Sequence, residues 1–331
     1  GTQNLAVGNY ALDALTSGDD NVAVGYAALG ANTTGGENTA IGRNALLTNT
    51  TGNSNVSVGR SSMYASTTGS NNVGVGVDSL KANTTGTENV AIGFEAMRLV
   101  TTASSNVAIG NEALENNVAA ENVAVGTKAL RANTSGTQNV AVGTEALKTM
   151  TTTEGQTAVG WKALELSVGN YNTAIGTECM NDATGAGNCT GVGYHALRLL
   201  TTGAQNTALG MGYNAYSSSN SENDNLAIGF DAMTTNTAGG TGNVAVGNYA
   251  MDELTSGDYN TAVGFSSMHK LTTGLRNTGI GYLGGQFITT GDDNVCINGG
   301  PALTTGDKNV MVGYQSGNNT QDGLRNTLVG Y

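Results

Sequence analysis

The sequence predicts an all-β chain: a β-solenoid, of the β-roll or β-helix kind, with about twenty stacked 17-residue coils. Three observations carry that expectation. A glycine recurs at a near-constant interval along all 331 residues. The residues just before it alternate between small and β-branched types, which is the period of a strand. Between successive glycines, a leucine or methionine is followed by a Thr-Thr-Gly segment.

The recurring glycine closes the motif Asn-x-Ala-Val/Ile-Gly. It stands at Gly8, Gly25, Gly42, Gly59, Gly76, Gly93 and onward to Gly330, in twenty slots of which one holds Asn298. Most intervals are 17 residues, a few are 16, and isolated ones reach 19 or fall to 15. A single continuous domain over 1–331 is expected, with irregular coils near 211–224 and 282–320.

Counting from the Asn as position zero, position one is mostly Val or Thr and position two is nearly always Ala. Position three is aliphatic in every copy, as in Val7, Val24 and Ile41. These three positions read as a short strand, which β-branched residues suit. The glycine at position four permits a corner that a Cβ would resist. Position eight is Leu or Met in most copies, as in Leu12, Leu29, Leu46 and Met63, and reads as the returning wall. A helix there would have only about ten residues between corners, too few to repay its nucleation. Thr-Thr-Gly reads as the second turn.

Such a coil buries nothing alone, so coils must stack about 4.8 Å apart. Position three is expected to form one core ladder and position eight another. The Asn of position zero, as at Asn21, Asn38 and Asn55, is expected to form an amide column. Ala at position two would then lie on the opposite strand face, where small residues admit a neighbouring backbone. That fits self-association as a homotrimer and equally a narrow single-chain solenoid; a head-to-tail filament would follow instead from the ends of the stack.

Composition excludes several function classes. Glycine supplies 50 residues and proline 1, which matches neither collagen nor a disordered linker. Aromatic residues are 5% and charged residues 11% of the chain, so the core is expected to be thin. The net charge is −12, and the 13 Lys and Arg residues form no cluster, which argues against a nucleic-acid surface. No apolar run approaches the ~20 residues of a membrane span.

The motif Asn-x-Ala-Val/Ile-Gly-x-x-Ala-Leu resembles the head repeats of trimeric autotransporter adhesins, although the repeat here is longer. The resemblance implies a β-roll with three chains side by side. The fuller pattern, with Asn-Thr-Thr-Gly, is similar to repeat-rich surface proteins and phage tail fibres, and to glycan-coated extracellular fibrils.

No constellation for catalysis is evident, and no enzyme activity, cofactor or metal is expected. His195 and His269 fall in variable slots and read as surface or edge residues. Cys179 and Cys296 replace Ala, and Cys189 interrupts an Asn slot. Spacing alone leaves a Cys179–Cys189 pairing open. Asp19, Asp20, Asp292 and Asp293 lie in turns, and the nine-residue calcium pattern is missing. Sequons occur at Asn32, Asn49, Asn55, Asn83, Asn133, Asn188 and Asn318. They are candidate glycan acceptors, and Thr34, Thr51 and Thr85 are O-linked candidates.

The function expected from these features is structural. The chain would form an extracellular fibre bearing covalent glycans, built by end-to-end stacking because neither end carries a polar cap. The alternative is an adhesin head or a phage tail-fibre shaft that binds a host surface; Tyr213–Asp224 is its local candidate for a contact loop, and reads otherwise as a tolerated insertion in a surface loop. Ice binding by threonine columns is a minor alternative.

Overall fold

A computed structural model describes residues 1–210, 222–235, 240–300 and 302–331. The stretch 213–224 lies outside them as far as residue 221. The chain forms two compact units, Gly1–Glu165 and Leu166–Tyr331. The first holds strands β1 (Leu5–Val7) to β10 (Thr157–Val159), including β6 (Val90–Ile92) and β7 (Val107–Ile109). The second holds β11 (Thr173–Ile175) to β20 (Thr327–Val329), including β17 (Thr278–Ile280), β18 (Val295–Ile297) and β19 (Val310–Val312).

Every strand is three residues long, and one coil contributes each. Within each unit, successive strands pair in parallel and in register, like residue on like: Ala91 lies on Ala108 and Ile92 on Ile109. The described residues contain no helix. The architecture is the β-solenoid that the repeat predicts.

The glycine corner has a steric cause. Gly93 adopts φ +136°, and a Cβ built on it would lie 2.5 Å from the carbonyl oxygen of Gly110 in the next coil. Beyond the corner the return wall is not a strand. Its backbone enters the left-handed region at two positions per coil, such as Asp78 (φ +58°) and Leu80 (φ +48°). For a residue with a side chain that conformation costs roughly 1–2 kcal/mol. The cost is offset because Leu80 is fully buried and its N–H donates to Ala96 O at 3.0 Å, one coil on. Burying a leucine side chain contributes about 2 kcal/mol.

The strand faces are the reverse of the expected ones. Position two points inward: Ala23, Ala40, Ala91 and Ala108 are completely buried. Position three points outward, and Ile41, Ile92 and Ile109 are 41%, 37% and 38% exposed. The width of the lumen is the reason. At Gly74, a Cβ would already sit 2.9 Å from Met63 Cγ on the opposite wall. Alanine nearly fills that space, and a β-branched residue has no room. The core is therefore Ala against Leu or Met, closed at one end by asparagine.

That asparagine column is the amide ladder that the sequence suggests. Asn89 donates its backbone N–H to Asn72 Oδ1 at 3.0 Å and its Nδ2–H to the same oxygen at 3.2 Å. Its second Nδ2 hydrogen reaches Ala103 O at 2.8 Å, in the turn of its own coil. The pattern recurs within each unit, as at Asn38 and Asn277, with Gln156 and Cys189 standing in two of the slots, so stacking and turn closure are secured by the same side chain wherever the asparagine is present.

Candidate functional site

Several side chains of the types that ordinarily carry chemistry make contacts between coils. His195 is 6% exposed, more buried than its variable slot suggests. Its Nε2 lies 2.8 Å from Glu178 Oε2, and its ring stacks on Tyr194 at 3.7 Å. His269 sits 3.6 Å from Asp252 and 3.7 Å from Glu253, and Asp252 also accepts a hydrogen bond from the Thr234 hydroxyl. Glu115 bridges two arginines, at 2.8 Å from Arg98 and 2.9 Å from Arg131. Burial raises the Glu115 carboxyl, but the hydrogen bonds from both guanidinium groups prevail and hold it below its ordinary value.

Three of the four turn carboxylates are likewise engaged. Asp19 accepts hydrogen bonds from Thr2, and Asp292 accepts one from the Leu275 N–H at 2.8 Å. Arg276 donates to Asp293 at 2.7 Å and lowers its carboxyl below the usual range. Among the described residues, no group of three His, Cys, Asp or Glu side chains is placed to hold a metal ion.

All three cysteines are buried thiols, so the Cys179–Cys189 pairing left open by spacing does not form. Burial pushes Cys179 and Cys296 up to about 12, and raises Cys189 as well. Thiolate is the reactive form. A disulfide reagent such as Ellman's, at about pH 8, should titrate no thiol in the native chain and all three after guanidinium unfolding. Rapid native reaction of even one thiol would contradict this placement.

The candidate glycan acceptors separate by burial. Asn32, Asn49, Asn55, Asn83 and Asn133 are completely buried. Asn32 Nδ2 donates to Gly35 O at 2.8 Å, and Asn133 Nδ2 donates to Gly136 O at 2.9 Å. The expectation of a sugar row on these asparagines is thus corrected for the folded coil. Asn-Thr-Thr-Gly is turn chemistry, with the amide inside as the clasp. Asn188 and Asn318 are exposed. So are Thr34, Thr51 and Thr85, which stand in one file along an edge. Their inner neighbours are engaged: the Thr33 and Thr84 hydroxyls donate to Thr50 O at 2.9 Å and Thr101 O at 3.0 Å.

What remains outside is the outward face of the strands. Positions one and three present Val, Ile, Thr and Leu in every described coil, and no charged residue occurs in any of the twenty strands. The charges lie elsewhere, on the return wall and at the turns, as in Glu145–Lys148 at 2.9 Å and Arg276–Asp293 at 2.7 Å. Beside the apolar face, just past the glycine corner, exposed rings recur: Tyr26, Phe94, Trp161, Phe230, Phe265 and Tyr282. Sequence reasoning missed this file. Its signal was present, since each ring is the residue immediately after the corner slot.

No helix among the described residues is long and apolar enough to cross a membrane. No protein-family model, curated protein or solved structure matches the chain. The resemblance to adhesin head repeats and repeat-rich fibres therefore rests on the repeat pattern, and the surface itself must supply the functional reading.

Proposed function

We propose that the chain is a structural fibre protein whose outward β-branched face packs against further copies of itself. One observation carries the reading: a parallel sheet whose outer face is apolar and uncovered. Parallel sheets occur almost only with both faces covered. In the first unit, where only Thr39 and Thr157 interrupt the two outward columns, ten strands at about 4.8 Å make a stripe about 48 Å long, or roughly 500 Å². A monomer's largest apolar patch rarely exceeds that, and one partner of a standard interface buries about 800 Å².

The occupant that fits is a second copy. The face is a set of ridges at the pitch of stacked strands, and another solenoid presents the same pitch. The net charge of −12 would oppose association, but the strands contribute none of it. Side-by-side packing is also what the resemblance to trimeric adhesin heads implies, although it would use the Val/Ile face and not the alanines. An extracellular or virion setting, and sugars on Thr34, Thr51 and Thr85, belong to the same proposal; the exposure of those hydroxyls supports it. Ice binding gains little support, because the inner hydroxyls of the turn threonines are spent on backbone carbonyls.

The test is the assembly state of the intact chain beside the triple variant Ile92→Lys, Ile109→Lys, Val142→Lys. These side chains are 36–38% exposed and point outward, so the coil should still fold. Light scattering and electron micrographs should show multi-chain assemblies for the intact chain and dispersed monomers for the variant. An intact chain that stays monomeric up to about 100 μM, a concentration at which even a weak 10 μM association is well populated, would sink the reading.

A further inference from the structure

In the second unit the file's ring-to-ring contacts, kept up past Asn248 by Tyr249 one place further on, break at one coil. Phe230, Tyr249, Phe265 and Tyr282 contact in sequence, with centroids 5.5, 5.7 and 5.8 Å apart, and the last pair is stacked at 16°. Tyr314 and Tyr331 continue the file at 5.6 Å. Between Tyr282 and Tyr314 lies one coil whose residue at this place is Gly299. The three residues each follow their strand by two positions, and β17, β18 and β19 are paired in register. Two coils separate the tyrosines, a span of about 9.6 Å, which is close to the distance that one intervening ring would bridge.

A groove of about 570 Å³ opens there, lined by Tyr282, Tyr314, Ile297 and Val312 with Gly299 between the rings. Tyr282 and Tyr314 are 69% and 62% exposed, although a large apolar ring ordinarily gains by covering itself. Four side-chain amides complete the lining: Gln286, Asn298, Gln315 and Asn318. No charged residue is among the lining residues. The gap is also built in sterically. A Cβ on Gly299 would meet Ser316 Oγ at 2.4 Å and Gly313 O at 3.0 Å, so this coil does not readily carry the ring that its neighbours carry.

We propose that this slot binds a neutral pyranose residue of a glycan, sandwiched between Tyr282 and Tyr314. A sugar ring offers apolar C–H faces to the two aromatic faces. Its rim of hydroxyls both donates and accepts, and each carboxamide does the same. An anionic sugar or a nucleotide would find no countercharge. An aromatic side chain from a second copy would fill the gap and leave four amides without partners, so it fits less well. The slot lies within the second unit and does not depend on lateral packing of the strands.

The experiment is a calorimetric or saturation-transfer NMR titration of the intact, unglycosylated chain. The probes are methyl pyranosides of glucose, galactose, mannose and N-acetylglucosamine, and their β- or α-linked trisaccharides. At least one series should bind, and its trisaccharide more tightly than its monosaccharide. Tyr282→Ala and Tyr314→Ala should each weaken binding about tenfold, the loss of one stacked face. Tyr282→Phe should retain it, and Tyr26→Ala in the first unit should leave it unchanged. Both slot tyrosines are exposed, so their truncation spares the core, and circular dichroism checks that. The proposal is overturned if no probe binds, or if binding ignores both tyrosines. It is overturned equally if the alanine changes abolish self-association instead, since the missing ring would then come from another copy.

Discussion

Gly93→Val should lower the stability of the first unit by about 3–5 kcal/mol, among the largest effects of any single substitution in this chain. Two costs add. Valine must hold φ near +136°, where a β-branched residue is strained by roughly 1–3 kcal/mol. Its Cβ must also find room 2.5 Å from the Gly110 carbonyl, which belongs to backbone held by the next coil. That oxygen has no flexible side chain to yield, so the spacing of two coils must open. Gly30→Lys is the control. The equivalent place in other coils holds Lys81 or Arg98, so the change should stay within about 0.5 kcal/mol. An intermediate arm is written in the molecule itself: Asn298 occupies a corner slot at φ +49°, where asparagine is tolerated. Gly93→Asn should therefore cost less than valine. Urea unfolding followed by circular dichroism checks the order, and equal losses for valine and asparagine would mean that the corner is not sterically set.

The corners, the coil length and the asparagine ladder were legible in the sequence because they are periodic and each has a local cause. Which strand face points inward was not. A period-two pattern separates Ala from Val and Ile but does not say which side is inside. Hydrophobicity alone chose Val and Ile, as it usually should. The deciding quantity is the distance between the two walls, set by the whole coil: Met63 from one wall comes so close to Gly74 on the other that only a very small side chain fits between. The same limit explains the sequons. Asn32 and Asn318 both open an Asn-x-Thr triplet, yet one is a buried clasp and the other is exposed. Their slots in the repeat differ: Asn32 stands seven residues past its corner glycine, in the turn, and Asn318 only five, on the return wall, which a triplet alone does not report. The tyrosine slot was half visible. The short interval after Asn298 marked an irregular coil, while the meaning of Gly299 emerged only once Tyr282 and Tyr314 were placed on either side of it.

The asparagine ladder is expected to yield the other large effect, and the chain supplies its own converse. Asn72→Leu keeps roughly the volume and removes every side-chain bond. Asn72 Oδ1 accepts from the Asn89 N–H at 3.0 Å and from Asn89 Nδ2 at 3.2 Å, while Asn72 Nδ2 donates to Gly86 O at 2.9 Å and to Asn55 Oδ1 at 3.1 Å. All of these partners are buried, and each orphaned group costs about 1–3 kcal/mol. The loss should reach about 4–6 kcal/mol, with enhanced hydrogen exchange at Asn89. Asn72→Asp separates shape from donor capacity. A carboxylate would face the Gly86 carbonyl, whereas its protonated form can donate to it. Burial and that carbonyl raise the carboxyl pKa of the folded state above its unfolded value of about 3.9. The deficit should therefore be full at neutral pH and shrink as pH falls through the raised folded value. The converse lies at Cys189, where the ladder is already broken: Asn206 N–H reaches only a sulfur, at 3.4 Å. Sulfur accepts weakly, so Cys189→Asn should restore the column and gain about 1 kcal/mol. If Cys189→Asn proved neutral while Asn72→Leu cost little, the ladder would be a by-product of stacking held by alanine and leucine alone. Opposite signs at the two positions would make it the element that fixes coil on coil.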